Sequence, residues 1–390
     1  MGQLTNPFDR SNVLFSTPMG DKAYFANESL IVEFEGKRGV VSTSNLNGGY
    51  RNDLRYVYNH SVGKMLEIQE RRCPGIKGAN LREHYTHVTE EIGLPPALST
   101  GMGTAALIEN LACAEQERHG VRVMAVATAG VDVNGGRAGD KASYDEFERK
   151  SLLVPAGTIN IFLFINAKLD AGVLTRAIVT ATEAKTAALW DLMASSRYSE
   201  GLATGSGTDS VIAICNEESE VELFNAGKHV LLGEMIGLSV KEAVSKALDK
   251  QTGMNPQRQA SFLWQGSRYG LSSDKIIQYY KHIYGSSQTD ETLHKHIETL
   301  STDSYLCAEI ASLLHLIDQH RGALIDEQTL IAFAQRSLKQ IAEHYHLDAN
   351  EYIDLRRARV HAPSAGTPFY KCILSDLILQ LAHVIAHSSL

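Results

Sequence analysis

The sequence predicts an α/β (α+β) fold, with a mixed, partly antiparallel sheet and packed helices, followed by an all-helical C-terminal module. Strand-like apolar runs alternate with helical periodicity as far as about residue 250. Some neighbouring strands have no crossover helix between them, so part of the sheet is expected to be antiparallel. Past Met254 the strand signal almost disappears and helical periodicity takes over.

The first predicted elements are strands. Residues 23–44 alternate apolar and polar side chains in the manner of strands, with Glu35-Gly36-Lys37 as a hairpin turn. The Gly-, Asn- and Arg-rich residues 47–60 are predicted to be loop. Residues 75–100 are predicted to be irregular because Gly and Pro recur there.

The central elements follow from apolar spacing and from Val, Ile and Phe content. In chain order they are a helix over residues 104–118, strands over 121–129 and 157–165, a long helix over 170–194, a strand over 209–215 and a helix over 237–250. The long helix is expected because its Ala, Leu and Ile residues recur along one face.

The length of 390 residues favours two modules over one hydrophobic core. We place the boundary at Gly253-Met254-Asn255-Pro256, which gives an α/β domain over residues 1–254 and a helical domain over residues 255–390. The tail helices are predicted at residues 274–283, 289–300, 305–319, 327–345 and 370–386.

Composition excludes several classes of partner. A net charge of −8, with no basic run longer than a pair, argues against nucleic acid. Five scattered cysteines fit a reducing cytoplasm better than a disulfide framework. The N-terminus lacks a signal-peptide core, and apolar runs such as residues 159–165 are too short to span a bilayer. We therefore expect a soluble, cytoplasmic protein without a membrane partner.

Small and polar residues concentrate in four segments at the ends of apolar runs. They read TAGVDVNGGRAGD (residues 128–140), AGTIN (156–160), TEAKTAAL (182–189) and ATGSGTDS (203–210). Backbone N–H groups and short side chains gathered in this way predict a pocket around a bound molecule. The alternative for any one segment is an ordinary tight turn or a solvated surface.

Two segments share a T-G-x-G-T core, STGMGTAA (residues 99–106) and ATGSGTDS. The first is expected to open a helix, whose N-terminus would suit an anion or a polar carbonyl. Neither matches the Walker pattern or continues as G-x-G-x-x-G. The alternative interpretation is that both segments are tight turns in which glycine adopts positive φ. A third class of function, phosphate transfer by these segments, would require the protein to bind a nucleotide.

The charged residues of these segments each have two interpretations. Arg137 could clamp a carboxylate or an amide, and Asp140 could be a base or an orienting group; otherwise both are solvated loop charges. Glu183 and Lys185 are two residues apart on a helix, so at most one faces the sheet ends. His229 and Glu234 could form an acid/base pair or simply begin a helix. H-E-x-x-H is absent, so no metal hydrolase is predicted.

Taken together, five segments in this order resemble the adenosylcobinamide amidohydrolase family of corrinoid salvage. They are TAG with N-x-x-RAGD (residues 128–140), GTINI (157–161), TATEAKTAAL (180–189), ATGSGTDS (203–210) and AGKHVLLGE (226–234). The resemblance covers residues 95–250 well and residues 20–95 loosely. It does not cover the helical tail.

The resemblance implies hydrolysis of the amide that joins aminopropanol to the corrin ring of adenosylcobinamide, giving adenosylcobyric acid and aminopropanol. The partner is then a small-molecule corrinoid, whose cobalt belongs to the substrate, and no cofactor is expected. The tail could mediate homodimerisation or cover the corrinoid. The competing class is a corrinoid-binding carrier or sensor without hydrolysis.

Amide hydrolysis needs a base, an attacking group and donors to the oxyanion. We rank Asp140 first as base, then Glu183 and Asp209, and leave open a covalent route through Thr158, Ser206 or Cys215. The backbone of residues 156–158 or 204–208 could supply the oxyanion donors. The residues expected to bind substrate are Thr128, Asn134, Arg137, Thr158, Asn160, Lys185, Thr204, Ser206, Thr208 and His229.

Overall fold

A computed structural model describes residues 10–61, 77–142, 144–145, 147, 150–151, 157–286, 288–348 and 368–388. The chain divides into two compact units, Met1–Asn255 and Pro256–Leu390. The first unit is mixed α/β and the second is helical, so the predicted fold class is confirmed.

The first unit contains two main sheets. Its strands are β1 (Val13–Ser16), β2 (Lys22–Ala26), β3 (Ser29–Glu33), β4 (Arg38–Ser42), β5 (Gly49–Arg51), β6 (Tyr56–Ser61), β7 (Ser99–Thr104), β8 (Ala112–Arg118), β9 (Val121–Ala129), β10 (Gly135–Gly136), β11 (Tyr144–Asp145), β12 (Lys150–Ser151), β13 (Ile159–Ile165), β14 (Gly205–Ser206) and β15 (Ser210–Asn216).

One sheet has five strands in the order β1-β2-β3-β6-β7, and the other has six in the order β5-β4-β15-β13-β9-β8. Short two-stranded ladders join β10 to β14 and β11 to β12. Within the two main sheets, β6–β7 and β13–β15 are parallel and the other pairs are antiparallel. Both parallel pairs are separated in sequence by a helix, as a parallel connection requires.

Helices α1 (Leu81–Glu91), α2 (Ala171–Asp191) and α3 (Leu231–Thr252) complete this unit. Asp170 caps α2 by accepting a hydrogen bond from the N–H of Val173. Gly253, at φ 68°, ends α3 in the left-handed conformation that glycine adopts readily.

The elements of the first unit form four layers, in the order helix, sheet, sheet, helix. Strand β13 shows why, because successive side chains point to opposite faces. Ile161 and Leu163 pack with the Ala- and Leu-rich faces of α2 and α3. Phe162 and Phe164 pack instead against the five-stranded sheet, and α1 covers the outer face of that sheet through Val88 and its neighbours.

The predicted helix over residues 104–118 is wrong. Residues 112–118 form β8, which pairs antiparallel with β9 across a hairpin at His119 and Gly120. Both hairpin residues have positive φ, 53° and 77°, as a tight turn between twisted strands requires. Pairing with a buried neighbour has overridden the helical spacing of Ala and Leu.

The predicted hairpin turn at Glu35-Gly36-Lys37 is also wrong. Strand β3 belongs to the five-stranded sheet and β4 to the six-stranded sheet, so the chain crosses between sheets at this point. The hairpin lies earlier, between β2 and β3, with Asn27 and Glu28 at positive φ.

Residues 47–60 and 75–100 hold more regular structure than the sequence indicated. The first range contains β5 and β6, and the second contains α1, capped by Asn80. The first T-G-x-G-T segment is strand β7, paired in parallel with β6, and does not open a helix. Its Gly101 leaves room for the ring of Tyr58, which a Cβ would strike. The helix N-terminus invoked for anion binding is therefore absent at this segment.

The second unit is helical over its described residues, as predicted. Its helices are α4 (Pro256–Gln259), α5 (Phe262–Gly266), α6 (Ser273–Tyr284), α7 (Asp290–Ser301), α8 (Ser304–Arg321), α9 (Glu327–His344) and α10 (Phe369–His387). By length and composition α10 could cross a membrane, which contradicts the expectation that every apolar segment is too short. Since 67% of its most apolar stretch is buried inside the structure, α10 fits the core helix of a bundle.

Candidate active site

Strand register brings three of the four predicted segments to one edge of the six-stranded sheet. Ile159 of β13 pairs with Ala129, the last residue of β9, and Asn160 pairs with Ser210, the first residue of β15. The segments before β13, before β15 and after β9 therefore meet. Gly135 and Gly136 pair directly with Ser206 and Gly205, which joins two of the segments.

The fourth segment lies in α2 and contributes Lys185. Its side chain is buried, and its Nζ forms an ion pair with Oδ2 of Asp209. Asp209 also accepts hydrogen bonds from the N–H of Ile159 (2.9 Å) and the N–H of Ser206 (3.0 Å). These donors hold the Asp209 carboxylate in one orientation at the edge of the sheet.

Ser206 lies on the solvent side of this carboxylate. Its Oγ donates to Oδ1 of Asp209 at 2.6 Å, and its residue is partly exposed. The N–H groups of Ser206 and Thr208 are both used inside the loop, the second by Oγ of Ser206. Lys185, Asp209 and Ser206 thus form a chain of contacts from the protein interior to solvent, here named the Lys–Asp–Ser chain.

Gly205 is required by this packing, because a Cβ there would strike Oδ2 of Asp209 and Nζ of Lys185. We expect Gly205→Ala to separate the two charges, to destabilise the protein by about 1–3 kcal/mol and to lower kcat by about 10²-fold. Gly237→Ala is the control, because a Cβ there meets open space on α3 and should stabilise the helix slightly. Thermal unfolding and turnover of both variants check the prediction; equal behaviour would contradict it.

Beneath the Lys–Asp–Ser chain lies a buried polar network. Asn160 donates to Oδ1 of Asn59 (2.8 Å) and to the carbonyl of Gly103 (2.9 Å), and Asn59 donates to Oγ1 of Thr128 (2.9 Å). Thr158 donates to the carbonyl of Thr208 at 2.9 Å. This network joins the two sheets, so Thr128, Thr158 and Asn160 act as structural supports of the site.

Asn59 is a site residue that the sequence analysis missed, because residues 47–60 were predicted to be loop. The run of aromatic and β-branched residues Tyr56-Val57-Tyr58 immediately before it was the available signal for a strand. As part of β6, the Asn59 side chain faces the six-stranded sheet and reaches Asn160.

The segment after β9 is held by its own polar residues. The buried Asn134 donates to the carbonyl of Gly157, and Oγ1 of Thr204 accepts from the N–H of Ala138 (2.9 Å). Asp140 accepts from the N–H of Arg137 and from Oγ of Ser196, both at 2.7 Å.

Asp140 has the environment of an anchor for this loop. Partial burial alone would raise the pKa of Asp140, but hydrogen bonds from Ser199 and Ser196 outweigh it and hold the pKa below its usual value. A carboxylate with a lowered pKa is a weaker base. Arg137 is exposed, and its Nη1 donates to the carbonyl of Leu202 at 3.3 Å.

The structure does not bring Glu183, His229 or Cys215 to this cluster. Glu183 is exposed and pairs with Lys228 at 2.9 Å. His229 is exposed in the turn before α3. Cys215 is buried near the opposite end of β15, where burial raises the pKa of its thiol to about 11, so little thiolate exists at neutral pH. Residue 156, expected to help form an oxyanion site, lies outside the described residues.

Comparison with known proteins agrees with the resemblance drawn from the five segments. The model of the adenosylcobinamide amidohydrolase family matches residues 14–256 and leaves the helical unit unmatched. An uncharacterized protein of Methanocaldococcus jannaschii, MJ1613, is 36% identical over 235 residues, which are 57% of this chain and 87% of that protein.

Two solved structures show weaker likeness. The PH0078 protein from Pyrococcus horikoshii OT3 aligns with 61% of this chain and 81% of its own, at 15% identity and a TM-score of 0.26. A Burkholderia sp. β-aminopeptidase aligns with 61% of this chain and 82% of its own, at 13% identity and a TM-score of 0.29. These scores are too low to establish a common fold. From the family match over residues 14–256, the chain belongs to the adenosylcobinamide amidohydrolase family.

Proposed function

We propose that this protein hydrolyses the amide that joins aminopropanol to the corrin ring of adenosylcobinamide. The observation that carries the proposal is the Lys–Asp–Ser chain, which ends in a partly exposed hydroxyl where three small-residue segments meet. Family membership supports the corrinoid amide as substrate. In this proposal the cobalt enters with the substrate, and the protein's own residues carry the chemistry.

The first step is attack by Oγ of Ser206 on the carbonyl carbon of the scissile amide. The Ser206 proton passes to Oδ1 of Asp209, which already accepts it in a 2.6 Å hydrogen bond. As the new C–O bond forms, the carbonyl π electrons move to oxygen. A backbone N–H of residues 204–208, the segment expected to supply oxyanion donors, donates to this developing oxyanion.

In the second step the C–N bond breaks and Asp209 returns the proton to the departing amine, which leaves as aminopropanol. Water then attacks the acyl group on Ser206, losing a proton to Asp209, and cleavage of the ester regenerates the Ser206 hydroxyl. The corrinoid leaves as adenosylcobyric acid. Lys185, on the other carboxylate oxygen, keeps Asp209 oriented throughout.

Asp209 is preferred to Asp140 and Glu183 for reasons of position and environment. Asp209 contacts a partly exposed hydroxyl that can attack substrate. Asp140 is engaged by Ser196 and the backbone of its own loop. Glu183 pairs with Lys228 in solvent. The proposal therefore moves Asp209 from the last of the three candidate bases to the first.

The direct test is product analysis. We expect purified protein incubated with adenosylcobinamide to release aminopropanol and adenosylcobyric acid in equal amounts. Ser206→Ala should bind the substrate but turn it over about 10³-fold more slowly, because the attacking oxygen is gone. Tight binding by the wild type without release would favour a carrier or sensor. Full turnover by Ser206→Ala would contradict the role of Ser206 and show that water attacks the amide directly.

A further inference from the structure

Two aromatic side chains and a guanidinium lie exposed beside the candidate active site. Trp190 is 45% exposed and Tyr198 is 37% exposed, and the guanidinium carbon of Arg137 lies 5.8 Å from the centre of the Trp190 ring. Most large apolar side chains of this unit are buried in its sheets and helices. Two exposed aromatic rings and a cation next to these loops offer a surface on which an apolar, amide-bearing ligand can pack. We name these three residues the aromatic rim.

The aromatic rim is continuous with the Lys–Asp–Ser chain. Gly135 pairs with Ser206 and Gly136 with Gly205, and Arg137 is the next residue. By strand geometry the Cα atoms of Arg137 and Ser206 are on the order of 8 Å apart. A ligand whose reacting group reaches Ser206 therefore extends over the rim if it is about 10 Å wide or more.

Glycines shape the rim. A Cβ on Gly136 would lie 3.4 Å from the Tyr198 ring, and a Cβ on Gly201 would lie 2.7 Å from Cδ of Arg137. Because neither glycine has a side chain, the Tyr198 ring and the aliphatic part of Arg137 can lie close to the backbone. Among the described residues the Arg137 guanidinium makes a single hydrogen bond, to Leu202, so other donors of its five face solvent.

We propose that the aromatic rim binds the corrin macrocycle, the part of the substrate that stays on the product. This inference rests on the proposed function and assigns the residues that recognise its substrate. The corrin ring carries methyl groups and a conjugated inner part between its amide side chains, so these apolar parts pack on Trp190 and Tyr198. The amide carbonyls at its edge accept hydrogen bonds from Arg137. Because these contacts do not change while the amide reacts, they lower KM and leave kcat unchanged.

The test uses adenosylcobyric acid as the probe, because it carries the ring but no scissile amide. We expect Trp190→Ala to weaken its binding about tenfold in equilibrium dialysis, the scale of losing one stacking partner. With adenosylcobinamide the same variant should raise KM similarly and leave kcat within about twofold. Trp190→Phe retains an aromatic ring and should bind adenosylcobyric acid nearly as the wild type does. This result would show that the loss in Trp190→Ala comes from the missing ring, since the position tolerates substitution.

Trp264→Ala is the matched control. Trp264 is also exposed, at 37%, and has the guanidinium of Arg258 over its ring at 3.7 Å, but it lies in the helical unit. Its replacement should leave binding unchanged. Equal binding by the wild type and Trp190→Ala, or an equal loss in both Trp→Ala variants, would overturn the inference alone. A wild type that binds corrinoid but releases no aminopropanol would contradict the proposed function instead.

Discussion

Replacing Asp209 by asparagine is expected to lower kcat for adenosylcobinamide by about 10²–10⁴-fold. An amide cannot take the proton of Ser206, and its NH₂ group would face one of the donors that now surround the carboxylate. Loss of the negative charge also leaves the buried Lys185 without its ion-pair partner. Turnover at saturating substrate measures the effect, and binding of adenosylcobyric acid shows whether the site remains intact.

Two further carboxylates provide the comparison. Glu183→Gln should keep kcat within about twofold, because an exposed ion pair contributes little. Asp140→Asn should act mainly through the loop that Asp140 holds, with a smaller loss than Asp209→Asn. If Asp140→Asn abolished turnover while Asp209→Asn retained it, the base would be Asp140.

Asp21→Ala is expected to destabilise the α/β unit by about 3–5 kcal/mol. Asp21 is fully buried, and both its carboxylate oxygens accept hydrogen bonds from Arg38, at 3.0 Å from Nε and 2.8 Å from Nη2. Arg38 also donates to Asn216 at 3.0 Å. Removing Asp21 leaves the buried guanidinium of Arg38 with only the exposed carboxylate of Glu218, 3.7 Å from Nη1, as a counter-charge.

The matched control is Asp53→Ala, which removes the carboxylate that pairs with Arg51 at 2.7 Å in solvent. That change should cost less than about 1 kcal/mol. Unfolding in urea is best followed by fluorescence in a Trp264→Phe background, where Trp190 remains as the reporter of the α/β unit. Similar losses from Asp21→Ala and Asp53→Ala would contradict the assignment of a strong buried pair.

Local pattern predicted the elements that lie at the centre of the fold. Strands β9, β13 and β15 are predominantly apolar, and α2 and α3 repeat their Ala and Leu residues at helical spacing. Each of these patterns lies within a single segment, so it can be recognised without knowing which strand or helix the segment packs against. Strand β8 was missed because its Ala, Glu, Gln and Arg residues favour a helix, and only its pairing with β9 makes it a strand.

The sequence by itself also determined that small and polar residues lie at the ends of apolar runs, and from their order it indicated the family. It ranked Asp140 before Glu183 and Asp209 as the base, but each is an acid in such a segment, and no local pattern separates them. Which of the three carboxylates can act as the base depends on contacts between segments that are distant in the sequence. Parallel pairing of β13 with β15 places Asp209 beside Ile159.

The orientation of α2 decides the remaining question. Residues two apart on a helix point in nearly opposite directions, so α2 can present only one of Glu183 and Lys185 to the sheet. Packing of its Ala-rich face on the sheet buries Lys185 against Asp209 and leaves Glu183 in solvent. The free energy gained by burying the whole apolar face of α2 fixes which of the two side chains points inward. This packing exists only in the folded structure, so the sequence could not reveal it.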